Sequence, residues 1–276
     1  MLKQRVITAS VLVPLVFWLV FWGSHSVFAI AVGIFLAIGG WEWARLSGIR
    51  SEVGRVGYAA LTSGLCYWLY VTVLQPDVLP WLYLLGMGTV VLLWLFNISQ
   101  IFLFDGQQMP AGKIHIGSVL IGCVVLPGTW SSLLHLHQMS PNILFLCLLL
   151  IWVADTGAYF SGRRWGRRKL APRVSPGKSW EGVWGGLVAV FGVALFASFW
   201  MFGPFAERLI FVCLAMIGVI FSVFGDLYES LLKRRFGLKD SSHILPGHGG
   251  ILDRADSLTA AMPVFSVGLV LIEQCL

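Results

Sequence analysis

Long apolar runs, each about one bilayer thick and separated by short polar breaks, dominate this chain. A hydrocarbon core of about 30 Å is crossed by about 20 apolar residues in an α-helix. That ruler places about nine spans, at approximately 7–23, 26–45, 57–75, 79–98, 115–136, 141–161, 183–203, 207–228 and 257–275. The expected fold class is therefore all-α, a polytopic transmembrane helical protein. The first run follows Lys3 and Arg5, as a signal peptide would, but no small-residue cleavage site follows and further spans do, so it reads as a retained helix. With no internal repeat, low-complexity tract or linker, residues 1–276 read as a single integral membrane domain.

Composition strengthens the membrane reading. Of the residues 58% are hydrophobic and 12% charged, with a mean hydropathy of +0.83; a soluble domain carries about 25% charged residues to keep its surface wet. The five cysteines (Cys66, Cys123, Cys147, Cys213 and Cys275) are scattered through apolar stretches without a CxxC pair, which suits small buried hydrophobes rather than metal or disulfide roles.

Charge then orients the spans. With the N-terminus inside, the cytoplasmic loops hold Arg45, Arg50 and Arg55, then Lys113, then a basic run from Arg163 to Lys178, then Lys233, Arg234, Arg235, Lys239 and Arg254. The opposite loops hold almost none, Arg208 being the exception. This pattern satisfies the positive-inside rule. The net charge of +6 suits contact with anionic lipid heads or phosphates. Acidic residues are uneven as well. Asp155, Glu181, Asp226, Glu229, Asp240, Asp253 and Asp256 fall between 150 and 260, whereas residues 1–140 hold only Glu42, Glu52, Asp77 and Asp105. Residues 1–140 thus read as scaffold spans and 141–276 as the half that carries chemistry.

Three polar constellations stand out there. In FGDLYESLLKRR, a continuing helix would put Asp226, Ser230 and Lys233 on one face, with Glu229 beside it. A carboxylate at the edge of hydrocarbon faces a partner or a watery cavity. Asp226 is thus either an ion pair with Lys233 or Arg254, or a holder of a divalent cation while Lys233 meets a phosphate. In LPGHGGILDRAD, Pro246, Gly247, Gly249 and Gly250 strip side chains around His248, so that backbone N–H groups can approach an anion. Asp253, Arg254 and Asp256 follow. Carboxylates without Cys or clustered His suit Mg²⁺, which takes one or two carboxylates with phosphates and water; His248 reads as a phosphate donor or loop organiser. In GRRWGRRKLAPRVSPGKSWEG, the arginines serve as positive-inside charge or attract anionic lipid, and Ser175, Lys178 and Ser179 offer hydroxyls and an ammonium to a triphosphate without forming a Walker A pattern. Asp155 either joins the site or neutralises an arginine of that loop. Glu42, between Trp41 and Trp43, is the N-terminal acid deep enough to watch.

The segment SLLKRRFGLKDSSHILPGHGGILDRAD, residues 230–256, closely resembles the signature of phosphatidate cytidylyltransferases, the CDP-diacylglycerol synthases, bacterial type. Ser230, Lys233, Arg234, Lys239, Asp240, Pro246, His248, Gly249, Gly250, Asp253, Arg254 and Asp256 carry the match. DTGAYFSGRRWG and SPGKSWEG are similar to the family too. Ser242, Ala255 and Ser179 depart from its usual glycine, larger apolar residue and threonine. The resemblance implies a Mg²⁺-dependent transfer from CTP to phosphatidic acid at the cytoplasmic face of the cell inner membrane, with release of pyrophosphate. It also implies K⁺ as a second cation, a homodimer in the lipid bilayer, and no nucleic-acid partner. Because phosphatidate brings its own ionised oxygen nucleophile, catalysis becomes positioning and charge neutralisation. The expected roles are Mg²⁺ on Asp226 and Asp253, and Ser230 holding metal or phosphate. Lys233 and Lys178 offset the leaving group, and Asp256 orients Arg254 or holds a second cation. Ser175, Ser179, Arg234, Lys239, Asp240, His248, Gly249, Gly250 and Arg254 contact substrate. Rival readings are a relative acting on another lipid phosphate and an ion-coupled transporter; the latter predicts broken spans in two related halves.

Overall fold

In the computed structural model nine helices stand where the nine apolar runs are: α1 (Leu2–Phe21), α2 (His25–Leu46), α3 (Glu52–Thr72), α4 (Pro80–Leu103), α5 (Ile116–Met139), α6 (Pro141–Trp165), α7 (Trp180–Met201), α8 (Phe205–Arg235) and α9 (Leu252–Cys275). The structure describes residues 2–74, 80–110, 112–245 and 249–275, and the counts of elements here refer to those. Helices α2 and α4 to α9 are long and apolar enough to cross a membrane. Helix α3 opens on Glu52 and Arg55. The chain is an all-α multi-pass membrane protein. Helices suit this setting because every interior backbone N–H is satisfied within its own segment.

Two local features depart from the sequence reading. Helix α8 runs to Arg235 rather than stopping near 228, and its 31 residues span about 46 Å at 1.5 Å per residue. It exceeds the hydrocarbon thickness, so Asp226, Ser230 and Lys233 do share one continuous helix. The basic loop contains a small antiparallel hairpin, β1 (Lys169–Ala171) and β2 (Ser175–Ser179), with Lys169 opposite Ser179 and Ala171 opposite Ser175. Pro172, Pro176 and Gly177 are poor strand formers, and tertiary anchoring overrides them. Glu181 accepts the N–H groups of Arg167 and Arg168 at 3.0 and 3.2 Å, and the Trp180 N–H donates to the Arg168 carbonyl at 2.9 Å.

The chain divides into two compact units. The first comprises Met1–Val78, Gln107–Leu144 and Leu232–Asp256; the second comprises Leu79–Gly106, Phe145–Leu231 and Ser257–Leu276. In the first, α2, α3 and α5 pack through small residues and buried aromatic donors. Trp43 Nε1 donates to the Ser118 carbonyl, and the Tyr58 hydroxyl to that of Val119, both at 2.7 Å. Both side chains close over Gly122 of α5, where a Cβ would run into Trp43 Nε1 and the Tyr58 hydroxyl. At the start of α5, His115 Nδ1 accepts the Ser118 N–H at 3.0 Å, and Arg235 Nη1 lies 3.2 Å from Nε2.

In the second unit, α6 and α7 approach backbone to backbone. A Cβ on Gly186 would lie 2.8 Å from the Ala154 carbonyl oxygen, one on Gly157 3.0 Å from that of Gly185, and one on Gly182 3.0 Å from that of Ala158. Small residues on facing helices are what allow such contact in lipid. Trp94 Nε1 donates to the Thr259 carbonyl at 2.9 Å and ties α4 to α9.

Two outcomes are expected. Gly122→Ala overpacks the α2–α3–α5 contact and lowers stability by about 1–3 kcal/mol, read as a lower thermal midpoint in detergent. Burial, and then the Arg235 charge, hold the His115 ring below its ordinary pKa of 6.5. Its contribution to stability is therefore complete above that pH and is lost as pH falls below it. Acidification from about pH 7.5 to about 5.5 lowers the thermal midpoint of the wild type more than that of His115→Asn, which keeps a capping acceptor.

Candidate active site

In the second unit, α6, the hairpin and α8 enclose a cavity of about 480 Å³. Its polar lining is Asp155, Tyr159 and Arg163 from α6, Lys178 and Ser179 from the end of β2, and Asp226 from α8. Lys178 reaches its place because β2 ends on Ser179, which is buried as the N-cap of α7 and accepts the Gly182 N–H at 3.2 Å. Lys178 Nζ lies 2.7 Å from Asp226 Oδ2 and donates to the Val223 carbonyl at 3.3 Å. Ser230 Oγ, one turn on from Asp226, donates to its Oδ1 at 3.4 Å. The Arg163 guanidinium donates to the Tyr159 hydroxyl at 3.0 Å. Asp155 belongs to this cavity; it feels Lys178 as an attracting charge and Asp226 as a repelling one. Sequence alone had left its role open, because both readings put it near arginines.

The first unit gathers the second set. Lys233 Nζ lies 2.7 Å from Asp253 Oδ1, and their side chains are 13% and 9% exposed. Asp253 Oδ2 accepts the N–H of Gly250 at 2.8 Å, and the N–H and hydroxyl of Ser241 at 3.1 and 3.0 Å. These groups and the Lys233 ammonium surround the carboxylate with donors. Gly249 takes φ +82°, and a Cβ there would lie 2.7 Å from Asp253 Oδ2, so glycine is required on two counts. Its carbonyl accepts the Leu245 N–H at 2.9 Å and closes the loop. Arg234, Lys239 and Arg254 are exposed, while Asp240 and Asp256 are partly buried. Ser175 opens β2 in the second unit. Pro246, Gly247 and His248 lie outside the described residues.

Each carboxylate singled out for a cation thus holds a lysine: Asp226 has Lys178 and Asp253 has Lys233. The donors are carboxylate and hydroxyl oxygens, which match Mg²⁺ and not a thiol- or imidazole-seeking metal. Among the described residues no group of three or more His, Cys, Asp or Glu gathers into a ready-made metal cage. Mg²⁺ needs only one or two carboxylates when phosphates and water complete its shell.

An all-α membrane fold with an ammonium, a guanidinium and paired carboxylates around one cavity defines a class, a multi-pass membrane protein with a charged cavity among apolar helices. The chain belongs to the cytidylyltransferase family, whose sequence profile matches residues 3–272. A protein named phosphatidate cytidylyltransferase from Pseudomonas aeruginosa is 41% identical over 268 residues, 96% of each chain. One of the same name from Haemophilus influenzae is 38% identical over 283 residues, covering 96% of this chain and 98% of its own. Another from Bacillus subtilis is 39% identical over 170 residues, 60% of this chain and 59% of its own. The protein is a nucleotidyltransferase.

The Lys178–Asp226 pair is about one-third open to solvent, so it adds about 1 kcal/mol or less to stability. Lys178→Met and Asp226→Asn are each expected to unfold within about 1 kcal/mol of the wild type in thermal melts; a large loss would make the pair a structural brace.

Proposed function

We propose that the chain is a phosphatidate cytidylyltransferase, converting CTP and phosphatidate to CDP-diacylglycerol and pyrophosphate. The observation that carries this reading is the Lys178–Asp226 pair, set in a charged cavity among apolar helices. The near-complete match to relatives of that name supports it. A phosphate oxygen of phosphatidate attacks the α-phosphorus of CTP, one P–O bond forms, and the bond to the bridging oxygen breaks as pyrophosphate leaves. The attacking oxygen is already ionised, so no side chain has to remove a proton. What the protein supplies is alignment and positive charge.

Mg²⁺ would be held by Asp226, with Asp155 a further oxygen donor in the same cavity, and would neutralise triphosphate charge. In the structure Asp226 pairs with Lys178 and Asp253 with Lys233. These ammonium groups would also serve phosphate oxygens, with Ser230 next to Asp226 and Arg163 at the cavity wall. Gly249 and Gly250 keep side chains away from the loop that faces anions. We assign the chain to the cell inner membrane, with the N-terminus and the site cytoplasmic, because the Lys and Arg bias favours that topology. A homodimer and a K⁺ ion beside Mg²⁺ complete the proposal on the strength of the family resemblance.

Purified protein in detergent with CTP, Mg²⁺ and phosphatidate is expected to release pyrophosphate and form CDP-diacylglycerol, and chelation to stop it. Asp226→Asn is expected to lower kcat by about 10²-fold or more while still inserting and folding. Retained turnover in that variant would sink the metal assignment. Activity on a different lipid phosphate in a substrate panel, and none on phosphatidate, would replace the substrate named here.

A further inference from the structure

Glu42 lies on α2 and is completely buried. Its hydrogen-bond donors come from one distant segment. Oε1 accepts the Ile251 N–H at 3.0 Å and the Ser242 hydroxyl; Oε2 accepts the Leu252 N–H at 2.6 Å and the Ser241 hydroxyl at 3.1 Å. Helix α9 begins at Leu252, so the two amides are among those that a helix start leaves without a backbone partner. A negative charge is favourable there. The glutamate thereby closes the first turn of α9 from a different helix. One turn further along α2, Arg45 Nη1 donates to the Ser241 carbonyl at 2.9 Å. Helix α2 therefore grips the 241–252 segment at both ends of the Ser241 residue.

The grip leads to Asp253. The Ser241 hydroxyl, with one proton to give, stands 3.1 Å from Glu42 Oε2 and 3.0 Å from Asp253 Oδ2, so it serves one carboxylate or the other and lies between them. Gly250 gives its N–H to Asp253, and its own neighbour Ile251 gives one to Glu42. A Cβ on Gly250 would run into the Ser241 hydroxyl and the Glu42 carboxylate. Without Glu42, Ser241 and Gly250 lose the surface that fixes them, and they offer Asp253 two N–H groups and a hydroxyl.

We propose that Glu42 is a positioning residue, an internal template that shapes residues 241–242 and 250–252 and so sets the Asp253 carboxylate and its Lys233 partner. Its effect on turnover rests on the cytidylyltransferase reading above; its effect on the loop does not. Being fully enclosed, it meets no substrate and acts only through the groups it holds.

The test is Glu42→Gln in the full-length protein in detergent, with Ser242→Ala as a milder variant that removes one donor and no charge. The amide matches the carboxylate in shape but turns an NH₂ toward backbone or hydroxyl donors. Amide hydrogen exchange followed by mass spectrometry is expected to rise by about tenfold or more across 241–253 in Glu42→Gln, and less in Ser242→Ala. Residues 154–162 and 180–187 are expected to keep wild-type protection. In pyrophosphate release, kcat is expected to fall roughly 10- to 100-fold with a smaller change in KM for CTP. Unchanged exchange across 241–253 in both variants overturns the proposal, as does an equal rise along every helix, which would make Glu42 a general brace. If the wild type releases no pyrophosphate from CTP and phosphatidate, the functional reading falls, and the exchange pattern still decides the role of Glu42.

Discussion

A carboxylate taken out of water is tolerated only when donors close around it, and this requirement organises the polar parts of the protein. Asp226 is met by Lys178 and Ser230, Asp253 by Lys233, Ser241 and Gly250, and Glu42 by four donors from 241–252. Helices satisfy their own backbones, so lipid-facing segments make no comparable demand. The loops that look irregular in sequence are shaped by these anions. Ser241, Ser242, Ile251 and Leu252 close around Glu42, Ser241 and Gly250 meet Asp253, and Gly249 and Gly250 fit beside these two acids.

Close helix contact does the corresponding work around the cavity. Gly157, Gly182 and Gly186 bring α6 and α7 together at backbone distance, which leaves Asp155, Tyr159 and Arg163 on the same wall as Ser179. The hairpin that delivers Lys178 buries Leu170, Ala171 and Val174. It is also fixed at its base by Glu181, which takes the N–H groups of Arg167 and Arg168, and by Ser179, which caps α7. A short, charged, proline-containing excursion becomes a defined element because its ends are tied and its apolar residues are buried.

This explains which parts were readable from the chain. Apolar runs of bilayer length report helices directly, since hydrocarbon thickness sets their length, and α1 to α9 fall on them. The extension of α8 past 228 was legible only as a face shared by Asp226, Ser230 and Lys233. The hairpin was not, because Pro172, Pro176 and Gly177 mask a strand pattern. Glu42 was visible as a deep acid, but its partners lie 199 to 210 residues away, and no local spacing can reveal them. Lys178 stood out among small hydroxyl residues, but its pairing with Asp226 was not legible, because Lys233 and Arg254 lie nearer that acid along the chain and were the partners the sequence offered. Ser179 shows a different limit: a hydroxyl read as a phosphate contact also serves as a helix cap, and composition cannot separate the two roles.

The choice of cation in these pairs carries a final argument. A buried ion pair gains little stability over apolar packing of the same volume, because both charges lose water. Lys233 and Asp253 are nearly enclosed, so stability alone does not account for them. The basic loop is rich in arginine, yet the cations paired with Asp226 and Asp253 are lysines. A guanidinium locks onto a carboxylate through a rigid two-toothed fork, whereas an ammonium is a point charge with rotatable donors on a flexible stem. A lysine can exchange a carboxylate oxygen for a phosphate oxygen with little change in geometry. Each pairing is thus suited to exchange with an anionic ligand, as the proposed function requires. The burial that makes the Lys233–Asp253 pair costly also makes its charges count strongly.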